Sequence, residues 1–91
     1  MLELEKTIVN EEGLHARPAL KLVDTAKQFQ SDIKVSDLST GKSGNAKSIL
    51  SILSLCATKG HRIKIHVSGA DESDAILALS QLIENNFSTE A

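Results

Sequence analysis

Residues 61–68, His61-Arg62-Ile63-Lys64-Ile65-His66-Val67-Ser68, alternate between apolar and polar positions. Ile63, Ile65 and Val67 fall on one side, and Arg62, Lys64 and His66 on the other. A two-residue period is that of a half-buried strand, and Gly69 ends it. A strand with one wholly polar face belongs to a sheet covered by helices on one side only, and sheets with a solvated face are normally antiparallel. These eight residues therefore predict an α/β (α+β) fold of the open-faced sandwich type. A ferredoxin-like split βαβ arrangement is the runner-up.

Working outward, Asp71 followed by Asp74 resembles a capping box with Asp in place of Glu. The helix after it presents Ala75, Ile76, Leu79, Leu82 and Ile83 as one stripe and ends near Asn85-Asn86. Upstream, Asn45 is placed to cap a second helix over Ala46–Thr58, closed by Gly60. Ile49, Leu50, Ile52, Leu53, Leu55, Cys56 and Ala57 cover too much of that helix for a single buried stripe, so some of them face water as a docking surface. Leu38–Asn45 reads as a hairpin turn with a weak strand, and Ile33 and Val35 mark a short strand before it. From Pro18 the period is helical, through Ala19, Leu22, Val23, Ala26 and Phe29, and Pro suits a first helical turn. Leu2, Leu4 and Ile8 alternate with Glu3, Glu5 and Thr7 as a first strand, and Asn10–Gly13 is a turn. The order is β-α-β-β-α-β-α over a single domain, residues 1–91.

At 91 residues, folding buries roughly 60–65% of the surface that the unfolded chain exposes. That suffices for a two-layer core and leaves no room for an enclosed substrate pocket with a lid. Phe29 and Phe87 are the only aromatic residues beside three His, and the net charge is −2. Neither figure suits a binder that stacks bases or clings to phosphate backbones, so no nucleic-acid partner is expected. Charge is unevenly spread: residues 13–70 hold nine basic against three acidic side chains, between two acidic ends. A basic middle favours an anionic ligand or an acidic protein partner. The single Cys56 excludes an internal disulfide and an all-Cys zinc site, and its apolar surroundings suggest a core thiol. With no apolar run near 18 residues and no leader pattern, a cytoplasmic chain without membrane insertion is expected.

Chemistry concentrates in Gly13-Leu14-His15-Ala16-Arg17-Pro18-Ala19. His15 immediately precedes a helix whose free first-turn N–H groups, those of Ala16 and Arg17 among them, form an anion site. The positive helix end suits a neutral, nucleophilic imidazole, and Arg17 offers a guanidinium fork to phosphate oxygens. No triad partner or metal set accompanies them, so no cofactor and no metal are expected. The chemistry that fits is a covalent phosphohistidine, taken from one partner and passed to another. Such a chain is a transfer intermediate rather than a stand-alone turnover enzyme. Gly41-Lys42-Ser43 imitates the end of a P-loop, but Ser36 stands where that pattern needs its first Gly. His61 and His66 lie on opposite faces and cannot share a metal; a turn-adjacent His61 and a solvated His66 are the ordinary readings. Asn86-Phe87-Ser88 matches a glycosylation sequon of no consequence in a cytoplasmic chain. Ser48, in the first turn of the second helix, is placed where a phosphate would set negative charge on the docking patch.

Gly-Leu-His-Ala-Arg-Pro-Ala at 13–19, Asn-Ala-Lys-Ser-Ile-Leu at 45–50, Lys59-Gly60 and Ser-Gly-Ala-Asp-Glu at 68–72 resemble the HPr family, the histidine-containing phosphocarriers of the bacterial phosphoenolpyruvate-dependent phosphotransferase system. The resemblance runs over about residues 4–87. It implies four antiparallel strands with three helices on one face, in agreement with the element order above. It implies that His15 accepts phosphate on Nδ1 from phosphorylated enzyme I and passes it to an enzyme IIA domain in sugar uptake. Arg17 would stabilise the phosphohistidine within a cradle of Ala16, Arg17 and Pro18. Partner docking would fall to Ala16, Lys47, Ile49, Leu50 and Leu53. Ser48 matches the serine phosphorylated by an HPr kinase/phosphorylase in some bacteria, and transcription regulators are further possible partners. The stretch Ser36–Asn45 is about two residues longer than the usual hairpin, which with the Asn-Phe ending resembles the nitrogen-related branch, whereas Lys47-Ser48 resembles the sugar branch. A nitrogen-related carrier, or a docking module gated by phosphate on Ser48, is thus the alternative. A monomer is expected, no second apolar face being left over.

Overall fold

The computed structural model describes residues 1–87, and Ser88 of the sequon lies outside the described residues. Strand β4 (Arg62–Ser68) runs through the middle of a four-stranded sheet. It pairs antiparallel with β1 (Leu2–Thr7) on one side and with β2 (Asp32–Asp37) on the other, and the short β3 (Ser43–Asn45) closes the edge beside β2. Every pairing is antiparallel, as the polar face of residues 61–68 predicts. Ile63, Ile65 and Val67 are fully buried and meet Ile33, Val35, Ala19, Leu22, Ile52, Ala75 and Leu79 in one core.

Three helices lie over that apolar face: α1 (Arg17–Ala26), α2 (Ile49–Ser54) and α3 (Glu72–Glu84). In α1, Ala19, Leu22, Val23 and Ala26 are buried at helical spacing, and Phe29 packs just beyond its end. In α3 the buried positions are Ala75, Leu79, Leu82 and Ile83, with Ile76 partly buried, and Asn85 closes the helix.

The second helix departs from the sequence expectation. It spans six residues, not thirteen, because its flanks are committed elsewhere. Ala46 N–H donates to Ile33 O at 2.9 Å, an extension of the sheet, while Lys47 N–H bonds Asn45 Oδ1 and Ser48 N–H bonds Asn45 O. Asn45 therefore ends β3 instead of capping α2, and the cap is Ser48, whose Oγ accepts from Ser51 N–H at 3.3 Å. At the other end Cys56 turns at φ 51, so that Ala57 O can accept the Leu14 N–H at 2.9 Å. Gly60 sits in the following turn and does not close the helix. This reversal leaves Cys56 exposed, which corrects the expectation of a core thiol.

Asp71 does not form a capping box either. It stands at the N-cap of α3 without a side-chain cap bond. Its carboxylate instead accepts from the amides of Gln30 and Ser31, at 2.8 and 2.9 Å, and from the Ser31 hydroxyl. The start of α3 is thereby tied to the turn between α1 and β2.

Candidate functional site

The loop that carries His15 is held from behind. Asn10 Nδ2 donates to Gly13 O at 2.9 Å, and Leu14, fully buried, donates its amide to Ala57 O. Gly13 turns at φ +62 against the backbone of residues 57 and 58; an added Cβ would stand 2.5 Å from Ala57 O and 2.7 Å from Thr58 Cα. Only glycine meets both the dihedral and the clearance. With Gly13 and Leu14 pinned, His15, Ala16 and Arg17 emerge together, all three exposed.

Ala16 is the N-cap of α1 at φ 54, ψ −125, a conformation that costs a non-glycine residue about 1–3 kcal/mol. No side chain caps the helix. The amides of this end are left to water or to an incoming anion. Pro18 is buried in the first turn and has no N–H, so its share in the cradle is a fixed φ. Arg17, the first helical residue, is exposed beside His15. The sequence-predicted His15, Ala16, Arg17 and Pro18 are thus brought to one helix end.

The docking residues divide. Leu50 is 76% exposed, while Ile49 and Leu53 are half-buried against the core. Ile52, Leu55 and Ala57 are buried, so the apolar surplus of this segment is partly core. Lys47 is not a free cation of the patch: its Nζ donates to Phe29 O at 2.7 Å. Leu20, 53% exposed, is a further exposed apolar residue one turn into α1; its place off the buried stripe of α1 was the available signal. Ser48 is half-buried with its hydroxyl engaged in the helix cap.

Tertiary pairing also breaks up the basic middle of the chain. Glu5 pairs with Arg62, Glu3 with Lys64 at 3.7 Å and His66 at 3.0 Å, and Glu11 with Lys59 at 2.7 Å. Among the described residues Arg17 and Lys21, in the first turns of α1, form no ion pair, which leaves positive charge at the helix end that carries His15. A groove of about 390 Å³ lies at the sheet, lined by Asp32, Lys34, Lys47, His66 and Ser68 among others. It contains neither His15 nor Arg17, and an open helix end suits a reactive group presented by another macromolecule.

Comparison with known proteins decides what this helix end belongs to. The family model described as "PTS HPr component phosphorylation site" matches residues 2–85. The chain belongs to the HPr family. Its role is that of a phosphoryl carrier of the phosphotransferase system. The phosphocarrier protein HPr of Xylella fastidiosa is 46% identical over 87 residues, 96% of each chain. A multiphosphoryl transfer protein of Escherichia coli O157:H7 is 44% identical over 91% of this chain, which spans only 22% of that larger protein. In three dimensions, HPr-C-His from Thermoanaerobacter tengcongensis superposes with a TM-score of 0.91 at 45% identity, covering 100% of both chains. These HPr relatives do not favour the nitrogen-related or Ser48-gated alternatives.

Proposed function

We propose that His15 is the residue that carries the phosphoryl group, received from a phosphohistidine of enzyme I and delivered to an enzyme IIA domain. The observation that supports this reading is the exposed imidazole at an uncapped, positively polarised helix start, with Arg17 beside it. In the first transfer a ring nitrogen of His15 attacks phosphorus, the P–N bond to the donor histidine breaks, and the group's charge moves into the reach of the open amides and Arg17; in the second the acceptor's nucleophile attacks, the P–N bond to His15 breaks and the group leaves that reach. Leu50, Ile49, Leu53 and Leu20 are the apolar contact around that centre, and Ala16 its rim. The relatives' phosphotransferase context supports enzyme I and enzyme IIA as partner classes. A monomer working in the cytoplasm is the state this reading takes, and no helix among the described residues is long and apolar enough to cross a membrane.

Ser48 enters as a regulatory phosphorylation site. A phosphate there replaces a hydroxyl cap with a stronger acceptor at the start of α2, two residues from Leu50, and sets negative charge on the contact surface.

The test is phosphoryl uptake from phosphoenolpyruvate through a cognate enzyme I. The expected result is one acid-labile, alkali-stable phosphate per chain, absent from His15→Ala. Arg17→Ala is expected to slow transfer by about 10- to 100-fold, the scale of losing one charge-stabilising group. Undiminished labelling of His15→Ala would overturn the assignment.

A further inference from the structure

Away from His15, a second set of side chains converges where the sequence showed only a turn-adjacent histidine. The turn Thr58–His61 is closed by the His61 amide, which donates to Thr58 O at 3.0 Å. It sets the Thr58 hydroxyl 3.2 Å from His61 Nε2. The other ring nitrogen, Nδ1, lies 2.8 Å from Oδ2 of Asp37, 24 residues upstream, whose side chain is completely buried at the end of β2. Burial alone pushes the Asp37 carboxyl up, but hydrogen bonds from His61 and from the Ser39 and Thr40 amides more than offset it and hold the group below its ordinary value.

The carboxylate sets the tautomer. Ionised, it can only accept, so Nδ1 carries the ring proton and the lone pair of the neutral imidazole lies on Nε2, facing the Thr58 hydroxyl. A hydroxyl, a base in hydrogen-bond contact with it and a buried carboxylate orienting the base constitute the arrangement that activates alcohol nucleophiles in acyl transfer. Thr58 is exposed. Exposed apolar residues flank the turn in the chain segments bonded beside it: Leu38 N–H donates to Arg62 O, just past the turn, and Ile8 O, next to Val9, accepts from Gly60 N–H.

We infer that Thr58, His61 and Asp37 form a hydroxyl–imidazole–carboxylate relay that makes Thr58 a self-acylation site for small activated acyl esters. Thr58 Oγ1 attacks the acyl carbon as its proton passes to His61 Nε2. The bond from acyl carbon to leaving alcohol breaks, the alcohol oxygen keeps the electron pair, and it takes the proton back from Nε2. The products are an ester on Thr58 and the free alcohol, with the relay returned to its starting protonation.

The test treats the full chain with p-nitrophenyl acetate in a His15→Ala background, which removes a competing imidazole, and maps acetylation by peptide mass. One acetyl group on Thr58 is expected. His61→Gln should slow its appearance about 10²-fold, the scale of a lost general base, and Thr58→Ser should keep the label. Acetyl found only on Lys59 or other lysines would overturn the proposal. So would labelling of Thr58 at the same rate in folded His61→Gln.

Discussion

His15 projects from a helix start that no side chain caps, and among the described residues no hydrogen bond holds its ring. His61 is fixed at both nitrogens, one by a buried carboxylate and one by a hydroxyl three residues away. The loop that carries His15 and the turn that carries His61 meet where Gly13 packs against Thr58 Cα. The difference shows how one fold allots two uses to one residue type. A histidine that is to carry a phosphoryl group, as proposed for His15, must approach another protein's phosphorus, which suits a loop fixed from behind and a ring left open. A histidine oriented to act on a neighbouring hydroxyl, as proposed for His61, needs the reverse, and the buried Asp37 supplies it.

The largest change expected on the held side comes from Asp37→Ala. It strips the His61 ring and the Ser39 amide of their acceptor, and breaking a buried pair costs up to about 3–5 kcal/mol. His61 is partly exposed, which places the expectation near the lower end, about 3 kcal/mol, or a drop in melting temperature of roughly 12–24 °C. A melt displaced by only a few degrees would mean that the pair is not a structural pin.

Gly13→Ala tests the support behind His15. A positive φ and a 2.5 Å approach to Ala57 O predict a loss of about 2 kcal/mol together with slower phosphate uptake, because the loop must shift to admit the methyl group. Unchanged uptake in a destabilised variant would separate the loop's geometry from His15's chemistry.

Acid sharpens the contrast through several carboxylates. Asp37 is held low for the reasons given above, Asp71 by the Ser31 hydroxyl and the Gln30 amide, and Glu72 by the Gly69 amide and the N-terminal amine. Each is lower in the folded than in the unfolded chain, so its stabilisation is present above about pH 4 and fades as pH falls through the folded value. Acid unfolding should therefore set in below about pH 4, and Asp37→Asn should flatten that limb.

The smallest structural effect is expected on the open side. Leu50→Ala removes a side chain that is 76% exposed and should change stability by less than about 0.5 kcal/mol. Its affinity for phosphorylated enzyme I should nevertheless fall about tenfold, a typical cost of 1–2 kcal/mol for an apolar interface anchor. Equal affinity in a titration would take Leu50 out of the contact.

Much of this was readable along the chain because the signals are local. Alternation in 61–68, the helical stripe after Pro18 and the stripe of α3 each depend on residues within one or two turns, and all three stand in the structure. The His15–Arg17–Pro18 grouping was equally legible, since a helix start is made by consecutive residues. What misled was the second helix, where Asn45 and Gly60 bore cap signals of ordinary strength. Hydrogen bonds from Ala46 to Ile33 and from Leu14 to Ala57 overrode them, and neither partner can be read from residues 45–60.

Periodicity, the order of elements and the grouping of His15, Ala16, Arg17 and Pro18 at one helix start were determined by sequence alone, because each is a matter of short-range spacing and side-chain type. Only the tertiary structure decided that Asp37 would be buried against His61, that Asp71 would bond to Ser31, that Cys56 would face water and that the acidic N-terminal segment would neutralise Lys59, Arg62 and Lys64. Each of these four outcomes depends on which distant segments become neighbours, and the sheet order β1-β4-β2-β3 sets that.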